Sequence, residues 1–325
     1  MKHITLVKFT DERCRHLPED MEILRGGRSR RFTGALVSAT VVLALGLAGA
    51  VAAPAGAEQD QATQAGVVPV VVIVMENQPY PHILGNANAP YINNTIIPGG
   101  VVDTNYIAGP GSLPDYLLIV SGQSSPPATA PNIFAALGTT SWREFMESMP
   151  SICYSGSTYG VVNGTTWGLY TKYHNAALQF TSVSKTSLCN NVVPLNSTYF
   201  SPAALPEFSL VVPNECNDMH TLPVNDQCPM WNGATNSASN VVKMGDNWLA
   251  SFVPEISHYA TVILTWDEGS PANEQVMTIA YGAGVTPGRD GTAYTHSSLE
   301  AGLYTYYGLG TAPASGATAT PLPIP

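Results

Sequence analysis

The chain has 325 residues, of which 45% are hydrophobic and 11% charged, and its formal net charge is −10. Length alone allows one α/β domain or two. So acidic a chain is a poor bulk electrostatic partner for nucleic acid or an anionic membrane, which leaves room for a small phosphorylated substrate held through a metal.

The first feature in chain order is the apolar run ALVSATVVLALGLAGAVAA at residues 35–53. Arg25, Arg28, Arg30 and Arg31 precede it, and PAGAEQ follows, with Ala55 and Ala57 placed like a signal-peptidase site. This is the layout of a bacterial secretory signal and implies an exported, extracellular protein with no stable membrane span after cleavage. An uncleaved anchor is the alternative, because the run approaches the ~20 residues that cross a bilayer. Ser29–Phe32, SRRF, is an incomplete twin-arginine pattern, and Met21 is a candidate start. The expected organisation is a signal and extension over 1–57, one domain over 58–309 and a low-complexity tail over 310–325. Beyond residue 57 there remain 5 basic and 18 acidic residues, a net charge of −13. Cys153, Cys189, Cys216 and Cys228 also remain, an even number that reads as disulfides in an exported chain. Cys153–Cys189 with Cys216–Cys228 is the simplest of three pairings, and no C-x-x-C pair suggests a thiolate metal site.

After a polar leader over 58–66, three apolar runs share one design. VVPVVVIVMEN ends in Glu76 and Asn77, FSLVVPNECNDMH reaches Asp218 and His220, and ATVILTWDEG ends in Asp267 and Glu268. Short β-branched runs without alternation predict strands buried on both faces. In open α/β sheets, ligands gather beyond the carboxyl ends of such strands. Acidic residues also cap strand ends in solvent, but three such ends favour a shared polar site. Between the runs, GPGSLPDYLLIVSG (109–122) predicts a turn and a helix start, 150–205 predicts long polar loops tied by a disulfide, and VVKMGDNWLASFVPEI predicts a helix with Val241, Trp248, Leu249, Phe252 and Ile256 on one face. QVMTIAYG predicts a further strand. HSSLEAGLYTYYGLG predicts a helix through Leu299, Leu303 and Tyr307 that stops at Gly308 or Gly310. Little regular structure is expected in the tail.

Adjacent acids are costly to bury unless a cation or a proton neutralises them. Glu76, Asn77, Asp267 and Glu268 all offer oxygen, which favours a hard divalent ion such as Ca²⁺, Mg²⁺ or Mn²⁺. Asp218 and His220, with His174 and His296, form a second possible group that would suit zinc, bind phosphate or protonate a leaving group. His82 and His258 carry no such expectation. Ser112 has two readings. S-x-x-D over Ser112–Asp115 is close to a capping box, while a helix start also supports an anion, where a metal-bound serine becomes a nucleophile.

In their order along the chain, Glu76–Asn77, SLPDYLLIVSG, His174–Asn175, PNECNDMH, GDNWL, LTWDEG and His296 resemble the bacterial secreted phosphoesterases. That family includes acid phosphatases and is related to phosphatidylcholine-type phospholipases C. The resemblance spans Val68 to Leu309. It implies an α/β fold of three layers, α/β/α, with a mostly parallel central sheet similar to that of the alkaline phosphatase superfamily. It implies that Glu76, Asn77, Ser112, Asp267 and Glu268 hold one divalent metal (Ca, Mg, Mn or Zn), possibly with a second. Ser112 would be the nucleophile of a phosphoserine mechanism, with His174, His220 and His296 in catalytic positions and Asp115, Asn175 and Asp218 facing the substrate. The expected activity is phosphomonoester hydrolysis of the acid phosphatase type on a small-molecule or lipid phosphoester. Phosphodiester, phospholipase C or phosphoinositide hydrolysis, and non-catalytic binding of a phosphoryl ligand, are the alternatives. Relatives commonly read HPSLPNY where this chain reads GPGSLPDY, so Pro110 replaces a His and Asp115 replaces an Asn.

Overall fold

The computed structural model describes residues 67–109, 111–160, 168–220 and 238–325. The signal segment, the leader, Pro110 and Cys228 lie outside the described residues, together with the expectations attached to them.

A nine-stranded sheet forms the centre. Its strands in chain order are β1 (Val70–Met75), β2 (Val101–Ile107), β3 (Trp142–Met146), β4 (Val192–Pro194), β5 (Phe208–Val212), β6 (Thr261–Trp266), β7 (Gln275–Gly282), β8 (Gly288–Asp290) and β9 (Tyr294–Thr295). Their spatial order is β8-β2-β7-β6-β1-β5-β3-β4, with β9 also paired to β2. Among the described residues β7 alone runs antiparallel to its neighbours; every other pairing in the sheet is parallel. All six residues of β1 are fully buried. Successive strand side chains face opposite sides, so a strand with no exposed residue is covered on both faces. The result is a mostly parallel sheet with flanking helices, with strands buried on both faces as the apolar runs predict and three α/β/α layers as the resemblance implies.

The apolar-run criterion finds β1, β5, β6 and β7 and misses β2, β3 and β4. β2 (VVDTNYI) carries Asp103 and Asn105, and β3 (WREFM) carries Arg143 and a fully buried Glu144. Glu144 is tolerated there because its carboxylate accepts the backbone N–H groups of Ala176 and Ala177. The 150–205 region is therefore not loop throughout. It holds β4 and a small hairpin of Thr158–Tyr159 with Tyr170–Thr171, and the Cys153–Cys189 disulfide ties it as expected. Cys216 is also disulfide-bonded.

Three helices matter for the site. α1 (Ser112–Ser121) follows β2 and ends at Gly122, whose φ of 63° makes the left-handed cap. α2 (Ala238–Ile256) links β5 to β6, with Val241, Leu249 and Ile256 buried as its period predicts. α3 (His296–Tyr306) starts from a capping box of Thr295 and Ser298. Its first nine residues are all buried, so it is enclosed rather than amphipathic. Part of the cover is the tail. Apart from a turn at Ala314–Ala317 the tail has no regular helix or strand, yet Leu322 donates its N–H to Ser298 and is buried.

Among the described residues no helix is long and apolar enough to cross a membrane.

Candidate active site

β1, β5 and β6 are parallel neighbours, so their carboxyl ends open at one edge of the sheet. Met75 and Trp266 are in register, and the next residue on each strand is an acid, Glu76 or Asp267. The backbone continues the pairing: Asp267 N–H donates to Met75 O and Glu76 N–H to Asp218 O. Three chain segments thus deliver carboxylates to one place, and Glu76, Asp218 and Asp267 are fully buried.

Ser112 reaches the same place from the first turn of α1. Its hydroxyl donates to Glu76 Oε2 at 3.2 Å. The capping-box reading of Ser112 and Asp115 is not realised, because Gly111 holds the cap position and no side chain caps the helix. Ser112 is instead the first helical residue, where backbone N–H groups lack intrahelical acceptors and the helix dipole favours an anion. Asp115 is fully buried, and neither carboxylate oxygen has a hydrogen-bond partner among the described residues. Burial, then the nearby charges of Asp267 and Glu268, push its pKa up to about 8. It lies against Gly109, where a Cβ would come within 2.0 Å of its Oδ1.

Asn77 joins the two acidic strand ends. Its N–H donates to Asp267 Oδ1 at 3.0 Å and its Nδ2 to Glu268 Oε1 at 2.5 Å. Its φ of 50° is left-handed, a conformation Asn tolerates better than most residues. Its own Oδ1 is buried without a hydrogen-bond partner among the described residues, as is Asp267 Oδ2.

A second group adjoins the first. His174 is buried and stacks on Tyr116, with ring centroids 5.4 Å apart. Its Nε2 is 3.2 Å from Glu76 Oε1, while its Nδ1 is 3.5 Å from Glu215 Oε1 and 3.9 Å from Asp218 Oδ2. Burial holds this ring below its usual pKa, at about 3, so it is neutral and has one proton to donate. A proton on Nε2 satisfies Glu76. The Nδ1 lone pair then faces two carboxyl groups, which is an arrangement for a cation. His174, Glu215 and Asp218 each offer an atom within 4.8 Å of the others. Met219, with a φ of 78°, lets the chain turn so that His220 returns its N–H to Asp218 Oδ1. The His220 side chain is 30% exposed, more open than that of His174 at 8%.

The electrostatics agree with the geometry. Burial and neighbouring acids raise Glu76 and Asp218 well above the carboxylate range; burial raises Asp267 to about 7, and burial with the charge of Asp267 raises Glu215 to about 8. At ~4 Å and an effective dielectric of ~20, two like charges repel by about 4 kcal/mol. A divalent cation removes that repulsion, and the buried oxygens of Glu76, Asn77, Asp218, Glu215 and Asp267 are the hard donors it prefers. The residues present fit such an ion.

Two expected site residues have other engagements. Asn175 donates to Tyr170 Oη at 3.2 Å and accepts the N–H of Leu178 at 3.1 Å, so its amide organises its own loop. His296 has both ring nitrogens engaged, by Tyr106 Oη at 3.0 Å and by the backbone oxygen of Asp267 at 2.5 Å. His82 and His258 are exposed.

No family model matches the chain. A phosphatidylinositol-3-phosphatase of Mycobacterium tuberculosis is 28% identical to it over 259 residues, which span 74% of this chain and 77% of that protein. Among solved structures, a protein of the alkaline phosphatase superfamily from Vibrio parahaemolyticus is similar over 74% of this chain and 66% of that one, at 15% identity and a TM-score of 0.48. The lipoteichoic acid synthase LtaP of Listeria monocytogenes is similar over 79% of this chain and 77% of that one, at 9% identity and a TM-score of 0.49.

Sequence reasoning singles out most of the assembled cluster but passes over Glu215, Tyr106 and Tyr116. Glu215 had a usable signal, an acid three residues before Asp218 within one short turn. The two tyrosines had none: Tyr116 lies in an apolar run and reads as core, and Tyr106 lies in a strand that no run announces.

Proposed function

We propose that the chain is a hydrolase of phosphoric esters, a metal-dependent phosphomonoesterase that works through a phosphoserine at Ser112. The observation that carries this reading is the Ser112 hydroxyl, set on a helix start and hydrogen-bonded to Glu76 in the middle of a buried acid cluster. Glu76, Asn77, Ser112, Asp267 and Glu268 would hold one divalent ion, and His174, Glu215 and Asp218 are a candidate set for a second. When bound, such an ion would neutralise the acids and stabilise the Ser112 alkoxide.

The chain's own groups supply the rest. Glu76 Oε2 accepts the Ser112 proton, which leaves an oxygen lone pair for phosphorus. The N–H groups at the start of α1 face the phosphoryl oxygens. Asp115, kept neutral by burial, offers an O–H where an ionised carboxylate would repel phosphate. His220, the most open of the clustered histidines, would protonate the departing alkoxide. Water then releases phosphate by the reverse displacement.

A phosphoinositide headgroup is the second reading, favoured by the activity named for the M. tuberculosis relative. The assay is phosphate release from p-nitrophenyl phosphate, from phosphatidylinositol 3-phosphate and from a bis-ester, with Ca²⁺, Mg²⁺, Mn²⁺ or Zn²⁺ added. Turnover of the two monoesters, lost in Ser112→Ala, is expected. No hydrolysis of any ester with any of the four metals refutes the proposal, and turnover of the bis-ester alone makes the chain a phosphodiesterase.

A further inference from the structure

We infer that Tyr106 and His296 form a positioning relay that fixes the Asp267 backbone, and that His296 is not the group that meets the phosphoryl oxygens or the leaving group. The geometry orients every proton in the relay. The Asp267 carbonyl can only accept, so His296 Nε2 must carry the hydrogen of their 2.5 Å contact. Nδ1 of His296 then receives the phenol proton of Tyr106, 3.0 Å away. The relay thus runs from Tyr106 on β2 to the first residue of α3, and ends on the main chain of an acid in the cluster.

Each member is locked. Tyr106 is fully buried and His296 is 1% exposed, and their rings meet edge to face with centroids 5.4 Å apart. Among the described residues no carboxylate lies within ion-pair distance of His296. A ring with both nitrogens engaged in this way has no lone pair or proton left for substrate. What it does offer is placement. Asp267 Oδ1 already accepts from Asn77, and the contact to the carbonyl adds a second tether on the same residue. Outer partners of this kind usually affect a metal site about 10–100-fold.

This inference rests on the phosphoesterase reading for its kinetic arm only. The first test is a long-range ¹H–¹⁵N correlation spectrum of the histidine rings in the wild-type chain. A neutral His296 with its proton on Nε2 is expected, and a proton on Nδ1 overturns the inference whether or not the protein turns over any ester. The second test compares variants whose folding is verified by thermal melts. His296→Gln keeps an N–H that reaches the Asp267 carbonyl and should retain at least about 10-fold more kcat than His296→Ala, with the shape of the wild-type pH profile. Tyr106→Phe should lower kcat about 10-fold at little change in KM. If His296→Gln is as inactive as His296→Ala and Tyr106→Phe is unaffected, His296 acts on the substrate directly and the inference fails, while the proposed function stands. If the wild type hydrolyses no phosphoester, the proposed function fails and the ring spectrum alone decides the relay.

Discussion

Two regions of this molecule bury carboxyl groups without a cationic side chain beside them, and they do it differently. At the ends of β1, β5 and β6, Glu76, Asp218, Asp267 and Glu215 converge with a neutral His174 between them. Under α3, Glu300 is buried alone, held against Gly122 and Gly316, where a Cβ would come within 2.4 and 2.3 Å of its Oε2. Neither Glu300 oxygen has a hydrogen-bond partner among the described residues, and burial lifts its pKa to about 9. An isolated acid in a tight apolar space is neutralised by one proton. Several acids whose lone pairs converge need a charge at their centre, and their spacing leaves room for one. The strand-end cluster therefore fits an ion, and the Glu300 niche fits a packing contact.

The largest effect should come from the group the cluster serves. Ser112→Ala should reduce kcat by roughly 10⁴-fold or more, since removal of a nucleophile leaves only the residual contribution of the surrounding site. Next is the ion itself. Prolonged chelation should abolish turnover. Adding back a divalent ion at ~100 times its Kd should stabilise the fold by about 2.7 kcal/mol, or roughly 5–10 °C in a melting experiment. Asp267→Asn should weaken that metal-dependent rise, while Glu300→Gln should leave it intact. If both variants lose it equally, the distinction between the two regions collapses.

Smaller effects concern protons. Activity that depends on neutral Asp115 should fall as pH climbs through about 8. In Asp115→Asn the alkaline limb should move or vanish, and an unchanged pH–rate profile would place Asp115 outside the phosphate site. For Glu300 the folded state holds a proton that the unfolded chain releases near its ordinary value of 4.5. Its contribution to stability is complete below that pH and is lost progressively as pH rises toward about 9. Melting temperatures across this window should therefore decline less steeply in Glu300→Gln than in the wild type.

Much of this was legible in the sequence because the central strands are enclosed. A strand covered on both faces has to be apolar throughout, so β1, β5 and β6 stand out, and the acids just beyond them are conspicuous. The edge-side strands β2 and β3 mix charged and apolar residues, so no run announces them. The helix through His296 was visible as a period, but its complete burial depends on tail residues too low in complexity to suggest packing. The site was harder to read where a side chain's role depends on its partner. Asn175 and His296 have the residue types that chemistry needs, and only the structure shows that their polar atoms meet Tyr170, Leu178, Tyr106 and the Asp267 backbone. Glu215 carries a signal in its spacing from Asp218, and the structure adds its distances of 3.5 Å from His174 and 4.0 Å from His220.

The contact between Gly109 and Asp115 sets the order in which this loop can change. A methyl group at position 109 would overlap a carboxylate oxygen at 2.0 Å. Replacing Asp115 by Asn does not relieve it, because the two side chains are the same size. Residue 109 can gain a side chain only after residue 115 has become shorter or turned away. The two positions form an epistatic pair: a library that varies residue 109 alone should return glycine, and one that varies both together should recover larger residues at 109 beside smaller ones at 115.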